Sequence, residues 1–342
     1  MEDGTAMAHV SAGSPPRRSV QPPRVNGARH YAALDLGTNN CRLLIARPHA
    51  GGFAVVDAFS RIVRLGEGLA ATGRISDVAV ERTIAALRVC ADKLRRRNVA
   101  LARSVATEAC RRASNGAEFI ARVREETGIR LDIISAEEEA RLAVLGCHAL
   151  LEPGAGPALV FDIGGGSTEL VLIDTASAVP TVRDWHSAPW GVVSLTESVT
   201  AEDSAAGRAA AYARMRALVA ESFAPFAARL PRVAEPPRLL GTSGTVTTLA
   251  SVHLGLERYD RAQVDGLIAP AAAMRRISQD LSAMSVAERA QLPCIGRERA
   301  DLVVAGCAIL ETIIDLWPAD RLGVADRGIR EGILRRLMAS GR

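Results

Sequence analysis

The chain has 342 residues, of which 48% are hydrophobic and 23% are charged, and its formal net charge at pH 7 is +4. This length favours two domains of ordinary size, and this composition is typical of a soluble globular protein with an ample core. This net charge is too small to argue for nucleic acid as a partner, and none is expected, although a basic lining confined to one groove would suit an anionic substrate. No apolar run reaches the roughly 18 residues that span a bilayer, so a membrane partner is not expected either.

The first 28 residues are rich in Pro, Gly, Ser and Ala and have no periodic apolar pattern, which predicts a disordered tail. Arg17-Arg18 is followed by Val20-Gln21-Pro22-Pro23-Arg24, where an export signal of the twin-arginine type would need an apolar segment. The six cysteines have no CxxC pair and no metal spacing, and are expected to be small buried residues in a reducing compartment. The sequence therefore predicts a cytoplasmic protein.

The fold is expected to begin at His30, with a strand, a turn at Asp35-Leu36-Gly37 and a second strand that ends near Ala46. Residues 53–63 predict a further strand. Ser76 is expected to cap a helix, because an acidic residue follows it and apolar residues then recur at helical spacing.

The next predicted strand, residues 101–106, leads to Arg111 and Arg112, and Asn115 is expected to cap a helix that ends near Thr127. Arginines just after a strand end are well placed to bind phosphate oxygens in a fork. On this feature alone, a pair of surface arginines is an equally good interpretation.

Residues 131–134 predict a short strand, and Ser135 with Glu138 fits a capping box at the start of the next helix. Glutamates in a first turn are ordinary partners of the helix dipole. One of the three glutamates at 137–139 is nevertheless a candidate for a further role, because this segment lies just before a second hairpin.

That hairpin is predicted over residues 159–173, where two apolar runs flank the turn Gly164-Gly165-Gly166. Glycines let the backbone bend tightly and bring its N–H groups close to an anion such as phosphate. Asp162 and Glu169 bracket this turn, which points to phosphate together with a divalent cation. A bare hairpin turn remains the alternative.

The two predicted hairpins resemble each other. Leu34-Asp35-Leu36-Gly37-Thr38 parallels Phe161-Asp162-Ile163-Gly164-Gly165, and the aspartates are 162 − 35 = 127 residues apart. A period of one domain length predicts two similar halves with both turns facing one cleft.

Several further elements are predicted beyond the second hairpin. Ser194 is expected to cap a helix, a second helix over residues 205–223 is expected to end at Pro225, and an apolar helix is expected over residues 302–316. A strand that begins at Arg238 leads into Gly241-Thr242-Ser243-Gly244-Thr245, whose small residues open a helix and predict a second anion site.

Together these motifs resemble those of the exopolyphosphatase/guanosine pentaphosphate phosphohydrolase (Ppx/GppA) family over residues 30–335. The matching stretches are Asp35-Leu36-Gly37-Thr38-Asn39, Thr107-Glu108-Ala109-Cys110-Arg111, residues 134–141, residues 162–169 and Arg330-Glu331-Gly332. The resemblance implies an α/β fold with two actin-like (ribonuclease-H-like) domains of the actin/Hsp70/sugar-kinase superfamily and an interdomain cleft. The domains are expected at 29–148 and 149–342, with the last helix able to pack back on the first domain. It also implies a homodimer.

The resemblance implies hydrolysis of a terminal phosphoanhydride, either of inorganic polyphosphate or of guanosine pentaphosphate (pppGpp). Glu139 matches the catalytic glutamate that activates water, and Asp162 and Glu169 match acidic residues tied to Mg²⁺, with Mn²⁺ as an alternative. The positions that match phosphate-binding residues are Asn39, Arg111, Gly164, Gly165, Gly166 and Ser167, with weaker matches at Thr38, Gly244 and Thr245.

Long members of the family carry a C-terminal helical extension that this sequence lacks, so high processivity is not expected. The sequence leaves the choice between polyphosphate and pppGpp open. Two other functions remain as alternatives: an actin-like or sugar-kinase-like ATPase, and a non-catalytic regulator that binds guanosine alarmones.

Overall fold

The computed structural model describes Met1 and residues 29–154, 156–177, 180–230 and 237–340. The predicted disordered tail, apart from Met1, lies outside the described residues. The described chain forms two mixed β-sheets with helices on their faces, which confirms the predicted α/β class.

The first sheet has the strand order β3-β2-β1-β4-β5. Its strands are β1 His30–Leu36, β2 Asn40–His49, β3 Gly52–Ile62, β4 Val99–Ala106 and β5 Leu131–Ile133. β1, β2 and β3 pair antiparallel as two successive hairpins, and β4 and β5 continue the sheet in parallel with β1.

The second sheet has the order β10-β11-β9-β6-β7-β8. Its strands are β6 Ala158–Ile163, β7 Thr168–Asp174, β8 Thr181–Ala188, β9 Arg238–Thr242, β10 Ile268–Pro270 and β11 Arg321–Ala325. Apart from the edge strand β10, these strands repeat the pairing of the first sheet. Asp35 and Asp162 thus lie on the equivalent strands β1 and β6, as their matching motifs predict.

The described helices are α1 Leu69–Thr72, α2 Asp77–Arg96, α3 Glu108–Arg112, α4 Gly116–Thr127, α5 Ala136–Cys147, α6 Val192–Ser198, α7 Ala205–Arg229, α8 Gly244–His253, α9 Arg261–Val264, α10 Ala271–Ala283, α11 Val286–Gln291, α12 Val303–Leu316 and α13 Ile329–Ser340. None of these helices combines the length and the apolar character needed to cross a membrane. All six cysteines are free, and all except Cys294 are buried, as predicted.

Helix caps follow the sequence in part. Ser76 accepts the N–H of Ala79 as predicted. Asn115 precedes α4 but does not cap it, because its side chain bonds the backbone of Ile75 instead. The predicted capping box of α5 is half formed, since Ser135 accepts the N–H of Glu138 while the Glu138 carboxylate pairs with arginines elsewhere. The predicted cap of α6, Ser194, lies inside the helix instead. The N-cap residue is Gly191, and the N–H of Gly191 donates to Ser194 Oγ.

The prediction that Pro225 ends its helix is wrong, because α7 continues through it to Arg229. Phe223 and Phe226, on either side of the proline, are fully buried, and the Phe226 ring centroid lies 5.8 Å from that of Trp317. Burial of these aromatic rings outweighs the local cost of a proline inside a helix.

Helix α5 lies between the two sheets. Its residues Leu142 and Ala143 pack with α13 and the first sheet, while Ala140 and Val144 pack against the second sheet. α13 crosses α5 so closely that a Cβ on Gly332 would lie 2.1 Å from the carbonyl oxygen of Leu142. The glycine of Arg330-Glu331-Gly332 therefore allows this helix crossing, which holds α5 and its Glu139 in place.

Candidate active site

A cavity of about 130 Å³ lies between the two sheets, several times the ~10–15 Å³ that one water molecule needs. Its walls come from the turns after β1 and β6, the first turns of α5 and α8, and the segment before α12. Eleven of the twelve predicted site residues line it: Thr38, Asn39, Glu139, Asp162, Gly164, Gly165, Gly166, Ser167, Glu169, Gly244 and Thr245. The twelfth, Arg111, contacts Glu139.

The two hairpin turns have the same internal hydrogen bond. The N–H of Gly37 donates to Asn40 O at 2.9 Å in the first turn, and the N–H of Gly164 donates to Ser167 O at 2.9 Å in the second. The two turns are therefore equivalent, and the small residues of both line the cavity.

The turns also touch. A Cβ on Gly165 would lie 2.9 Å from Thr38 Cβ, and a Cβ on Gly166 would lie 2.7 Å from Thr38 Oγ1. Neither glycine has a positive φ, so the left-handed backbone that glycine permits is not the reason for them. The glycines are needed because the two halves of the protein meet here at backbone distance.

Helix α6 supports the triple-glycine turn from the other side. The N–H groups of Val192 and Val193 donate to the carbonyls of Gly164 and Gly165, at 2.9 and 2.8 Å. With these carbonyls bound to α6, the N–H groups of Gly165 and Gly166 have no acceptor among the described residues. Free amides beside a cavity suit the oxygens of a phosphate.

A second set of free amides lies at the N-terminus of α8. Ser243 caps this helix by accepting the N–H of Val246, and Gly244 and Thr245 line the cavity. The partial positive charge of a helix N-terminus favours a bound anion. The structure thus confirms the predicted helix start at this small-residue stretch.

Five carboxylates line the cavity: Asp35, Glu108, Glu139, Asp162 and Glu169. Burial and, to a smaller extent, the nearby Glu139 raise the pKa of Asp162 to about 7, although Arg42 opposes the shift. Burial and Asp162 also raise the pKa of Glu169, against hydrogen bonds of 2.8 Å each from the hydroxyls of Ser167 and Ser187. Negative charge is therefore costly here without a bound cation.

Glu139 is held by an arginine. Arg111 donates from Nη1 to Glu139 Oε2 at 2.8 Å and to the carbonyl oxygen of Ile134 at 2.8 Å, and from Nη2 to Glu108 Oε2 at 2.7 Å. Burial and Glu169 raise the pKa of Glu139 well above its ordinary value, while Arg111 counteracts them. A carboxylate with a raised pKa and a fixed orientation can accept a proton near neutral pH.

Sequence reasoning missed several cavity residues, among them Asp35, Arg42 and Arg299. Asp35 could have been found, because it matches Asp162 in the internal repeat. Arg42 could also have been found, since it lies opposite Asp35 in the register of the β1–β2 hairpin. Arg299 comes from a distant segment before α12, and no local pattern marks it.

The residues fit a divalent cation. Asp35 Oδ1 and Asn39 Oδ1 are buried and have no hydrogen-bond partner among the described residues, and both residues line the cavity together with Asp162 and Glu169. In the part of the chain that the structure describes, no three His, Cys, Asp or Glu side chains converge as a complete metal site. Such a sparse set of oxygens suits Mg²⁺, which keeps waters and binds substrate phosphates.

Comparison with known proteins gives consistent matches. The sequence profile of the Ppx/GppA phosphatase family matches residues 44–340. Exopolyphosphatase 2 of Mycobacterium tuberculosis is 34% identical over 316 residues, which cover 88% of this chain and 96% of that protein. The guanosine-5'-triphosphate,3'-diphosphate pyrophosphatase of Aeromonas salmonicida is 30% identical over 91% of this chain and 60% of its own length. The crystal structure of the Aquifex aeolicus member of the Ppx/GppA family superposes with a TM-score of 0.76 at 28% identity, over 92% of this chain and 99% of that one.

Proposed function

Because this chain belongs to the Ppx/GppA phosphatase family and is a phosphoanhydride hydrolase with the actin-like fold, we propose that it releases the terminal phosphate of inorganic polyphosphate, of pppGpp, or of both. Relatives named as an exopolyphosphatase and as a guanosine-5'-triphosphate,3'-diphosphate pyrophosphatase support these two substrates. The observation that carries the proposal is the single cavity at which Glu139 meets both hairpin turns.

The substrate is a chain of phosphates whose negative charge repels an incoming nucleophile. The free N–H groups of Gly165 and Gly166 and the N-terminus of α8 bind the oxygens of the terminal phosphates. Asn39 and Ser167 lie in the same two turns and contribute polar side chains. Together these groups place the terminal phosphorus in front of Glu139 and reduce the charge that the attacking water meets.

Asp162 and Glu169 would hold Mg²⁺, and the Asp35 oxygen that has no partner among the described residues lines the same cavity. When bound, this ion supplies positive charge that stabilises the phosphate oxygens as charge develops on them. Ser167 and Ser187 orient the Glu169 carboxylate through their two hydrogen bonds.

Glu139 acts as the general base. It accepts a proton from a water molecule as the water oxygen forms a bond to the terminal phosphorus. The bridging P–O bond breaks, and the electron pair leaves with the shortened phosphate chain or with ppGpp. Arg111 favours the ionised form of Glu139 and holds its carboxylate beside the cavity.

A phosphate-release assay on short polyphosphate, long polyphosphate and pppGpp, each with and without Mg²⁺, tests the proposal. Release from at least one of these substrates that requires Mg²⁺ is expected. Absence of release from all three would overturn the proposed substrates, and full activity after removal of divalent cations would overturn the role of the ion. A homodimer and a cytoplasmic location remain predictions that light scattering and cell fractionation can test.

A further inference from the structure

The segment Val63–Gly68, here called the strap, joins β3 to α1 and holds the first hairpin turn. The N–H groups of Val63 and Arg64 both donate to Asn39 O, at 2.8 and 3.0 Å. The N–H of Gly66 donates to Thr38 O at 2.9 Å. Two residues of the proposed phosphate site are therefore fixed by the backbone of the strap.

The strap also reaches the C-terminal half of the chain at two points. Arg64 pairs with Asp301, with 3.1 Å between Nη1 and Oδ2, and its Nη2 lies 3.4 Å from both Asp301 Oδ1 and Glu298 O. The N–H of Gly68 donates to Glu197 Oε1 of α6 at 2.9 Å. These contacts connect the strap to the segment before α12 and to α6.

Both α6 and the segment before α12 contact the cavity residues that come from the second sheet's turn and from α8. α6 binds the carbonyls of Gly164 and Gly165 through its first N–H groups. The segment before α12 carries Arg299, which lines the cavity and donates to Thr248 Oγ1 at 3.0 Å. The strap is thus a continuous link between the two phosphate-binding turns.

The backbone of the strap is strained at the residue that makes the ion pair. Arg64 has φ 45°, in the left-handed region that non-glycine residues rarely adopt. Arg82 of α2 stabilises this conformation by donating to the carbonyls of Val63 and Arg64. A strained residue held from both sides is more often found at a functional site than in an ordinary loop.

We propose that Arg64 is a positioning residue for phosphate binding, and that its ion pair with Asp301 keeps the two hairpin turns in contact with each other. This inference rests on the proposed function for its kinetic readout. Without the ion pair, binding of the phosphate chain must itself bring the halves together, so KM rises while kcat at saturation changes little.

Two variants separate positioning from stability. Arg64→Ala removes the ion pair and keeps a side chain in the left-handed conformation, whereas Arg64→Gly removes the ion pair and relieves the backbone strain. We expect both to raise KM about two- to fivefold, the effect of one partly exposed ion pair, with kcat within about twofold of wild type. Arg64→Gly should have the higher melting temperature. If KM follows the melting temperature and returns to the wild-type value in Arg64→Gly, Arg64 has only a structural role.

A charge exchange makes the test specific to the pair. Arg64→Asp and Asp301→Arg should each raise KM, and the double variant should return it toward wild type, since aspartate tolerates the left-handed backbone. The control is Arg229→Ala, which breaks a partly exposed ion pair with Asp184 within the C-terminal half and should leave KM unchanged. Failure of the double variant to recover would overturn the role of the pair.

A distance measurement without substrate tests the strap independently of turnover. Val78 on α2 and Val286 on α11 are 71% and 51% exposed, so cysteines placed there in a Cys294→Ser background can carry spin labels. Arg64→Ala should lengthen or broaden the distance distribution between the labels. An unchanged distribution would show that the ion pair of Arg64 does not hold the two halves together, whichever substrate the enzyme cleaves.

Discussion

Arg111 and Glu139 form an ion pair beside the cavity, with 2.8 Å between Nη1 and Oε2 and side-chain exposures of 18% and 10%. Arg111 lies on α3, in the part of the chain that forms the first sheet. Glu139 lies on α5, which packs between the two sheets. The arginine therefore orients the proposed base, and it also binds Glu108.

Glu139→Gln is expected to reduce phosphate release by about 10²- to 10⁴-fold, the typical contribution of a general base. Glutamine preserves the shape of the side chain and can still accept a hydrogen bond from Arg111, so the fold is expected to stay intact. The assay is single-turnover phosphate release at saturating substrate. The control is Glu138→Gln, a neighbouring glutamate that pairs with Arg103 and Arg336 and should retain activity. Equal turnover by Glu139→Gln and wild type would contradict its role as base.

The acid limb of kcat/KM reports the ionisation of Glu139. Its pKa is raised by burial and by Glu169 and is lowered by Arg111, and the base must be deprotonated to act. Activity should therefore rise with pH, and Arg111→Gln should move the acid limb to higher pH. The control is Arg112→Gln, whose side chain is 44% exposed and lies 3.9 Å from Glu108. An acid limb that stays in place in Arg111→Gln would show that Arg111 does not control the base.

Asp162→Asn is expected to stabilise the metal-free protein and to weaken the binding of Mg²⁺. The pKa of Asp162 is about 7 in the folded protein against an ordinary 3.8, so its carboxylate lowers the free energy of unfolding as pH rises through this window. In EDTA, the variant should gain more in melting temperature at pH 8 than at pH 5. The increase that Mg²⁺ produces in wild type should shrink in the variant.

Thermal unfolding with titrated Mg²⁺ measures both effects of Asp162→Asn. Asp174→Asn is the control, because Asp174 lies at the other end of β7, pairs with Arg183 and does not line the cavity. A Mg²⁺-induced shift that is the same in Asp162→Asn as in wild type would exclude Asp162 as a ligand.

Gly166→Ala is expected to push the two hairpin turns apart. The added Cβ would lie 2.7 Å from Thr38 Oγ1, and such overpacking costs about 1–3 kcal/mol. Adding Thr38→Ala should recover part of this loss of stability, because the clashing hydroxyl is removed. The same second change should not rescue Gly165→Ala, whose Cβ would meet Thr38 Cβ at 2.9 Å and the backbone N of Asn39 at 3.1 Å. Urea unfolding of the single and double variants measures the difference, and equal rescue of both would contradict the contact geometry.

Asp57 is expected to stabilise the first sheet against α2. It accepts hydrogen bonds from Lys93 at 2.7 Å and from Arg97 at 2.9 Å, and these bonds, chiefly the one from Lys93, lower its pKa to about 2. Asp57→Asn should reduce the free energy of unfolding at pH 7 by about 1 kcal/mol. A depressed pKa gives stability above the ordinary value of 3.8 that is lost as pH falls towards 2.

The difference between Asp57→Asn and wild type should therefore shrink to a small fraction of its pH 7 value near pH 2. Asp92→Asn, which removes a more exposed partner of Arg95 on the same helix, should cost less. Chemical denaturation at pH 7 and pH 2 provides the comparison, and a difference that persists undiminished at pH 2 would contradict the charge effect.

Much of the fold could be predicted because its signals are local. The hairpin around Asp162 is encoded by two apolar runs and three glycines, and the equivalent hairpin around Asp35 has the same pattern. α5 and α8 begin where Ser135 and Ser243 precede their first turns. Each of these signals depends on residues within a few positions of one another, so each can be recognised in the chain alone.

Other features depend on residues that are far apart in sequence. α7 continues through Pro225 because Phe226 is buried against Trp317, nearly a hundred residues away. The Glu138 carboxylate leaves its predicted cap because Arg103 and Arg336 lie nearby in the folded protein. In both cases tertiary contacts outweigh a local preference.

The sequence by itself determined the class of the fold, the internal repeat and eleven of the residues that line the cavity, because motifs of contiguous residues carry them. Only the tertiary structure decided how these residues act on one another. It placed Arg111 on Glu139, left Asp35 Oδ1 without a hydrogen-bond partner among the described residues, and brought Gly166 against Thr38. These relationships join elements that meet only when the two sheets pack around α5, and local residue patterns do not record such distances.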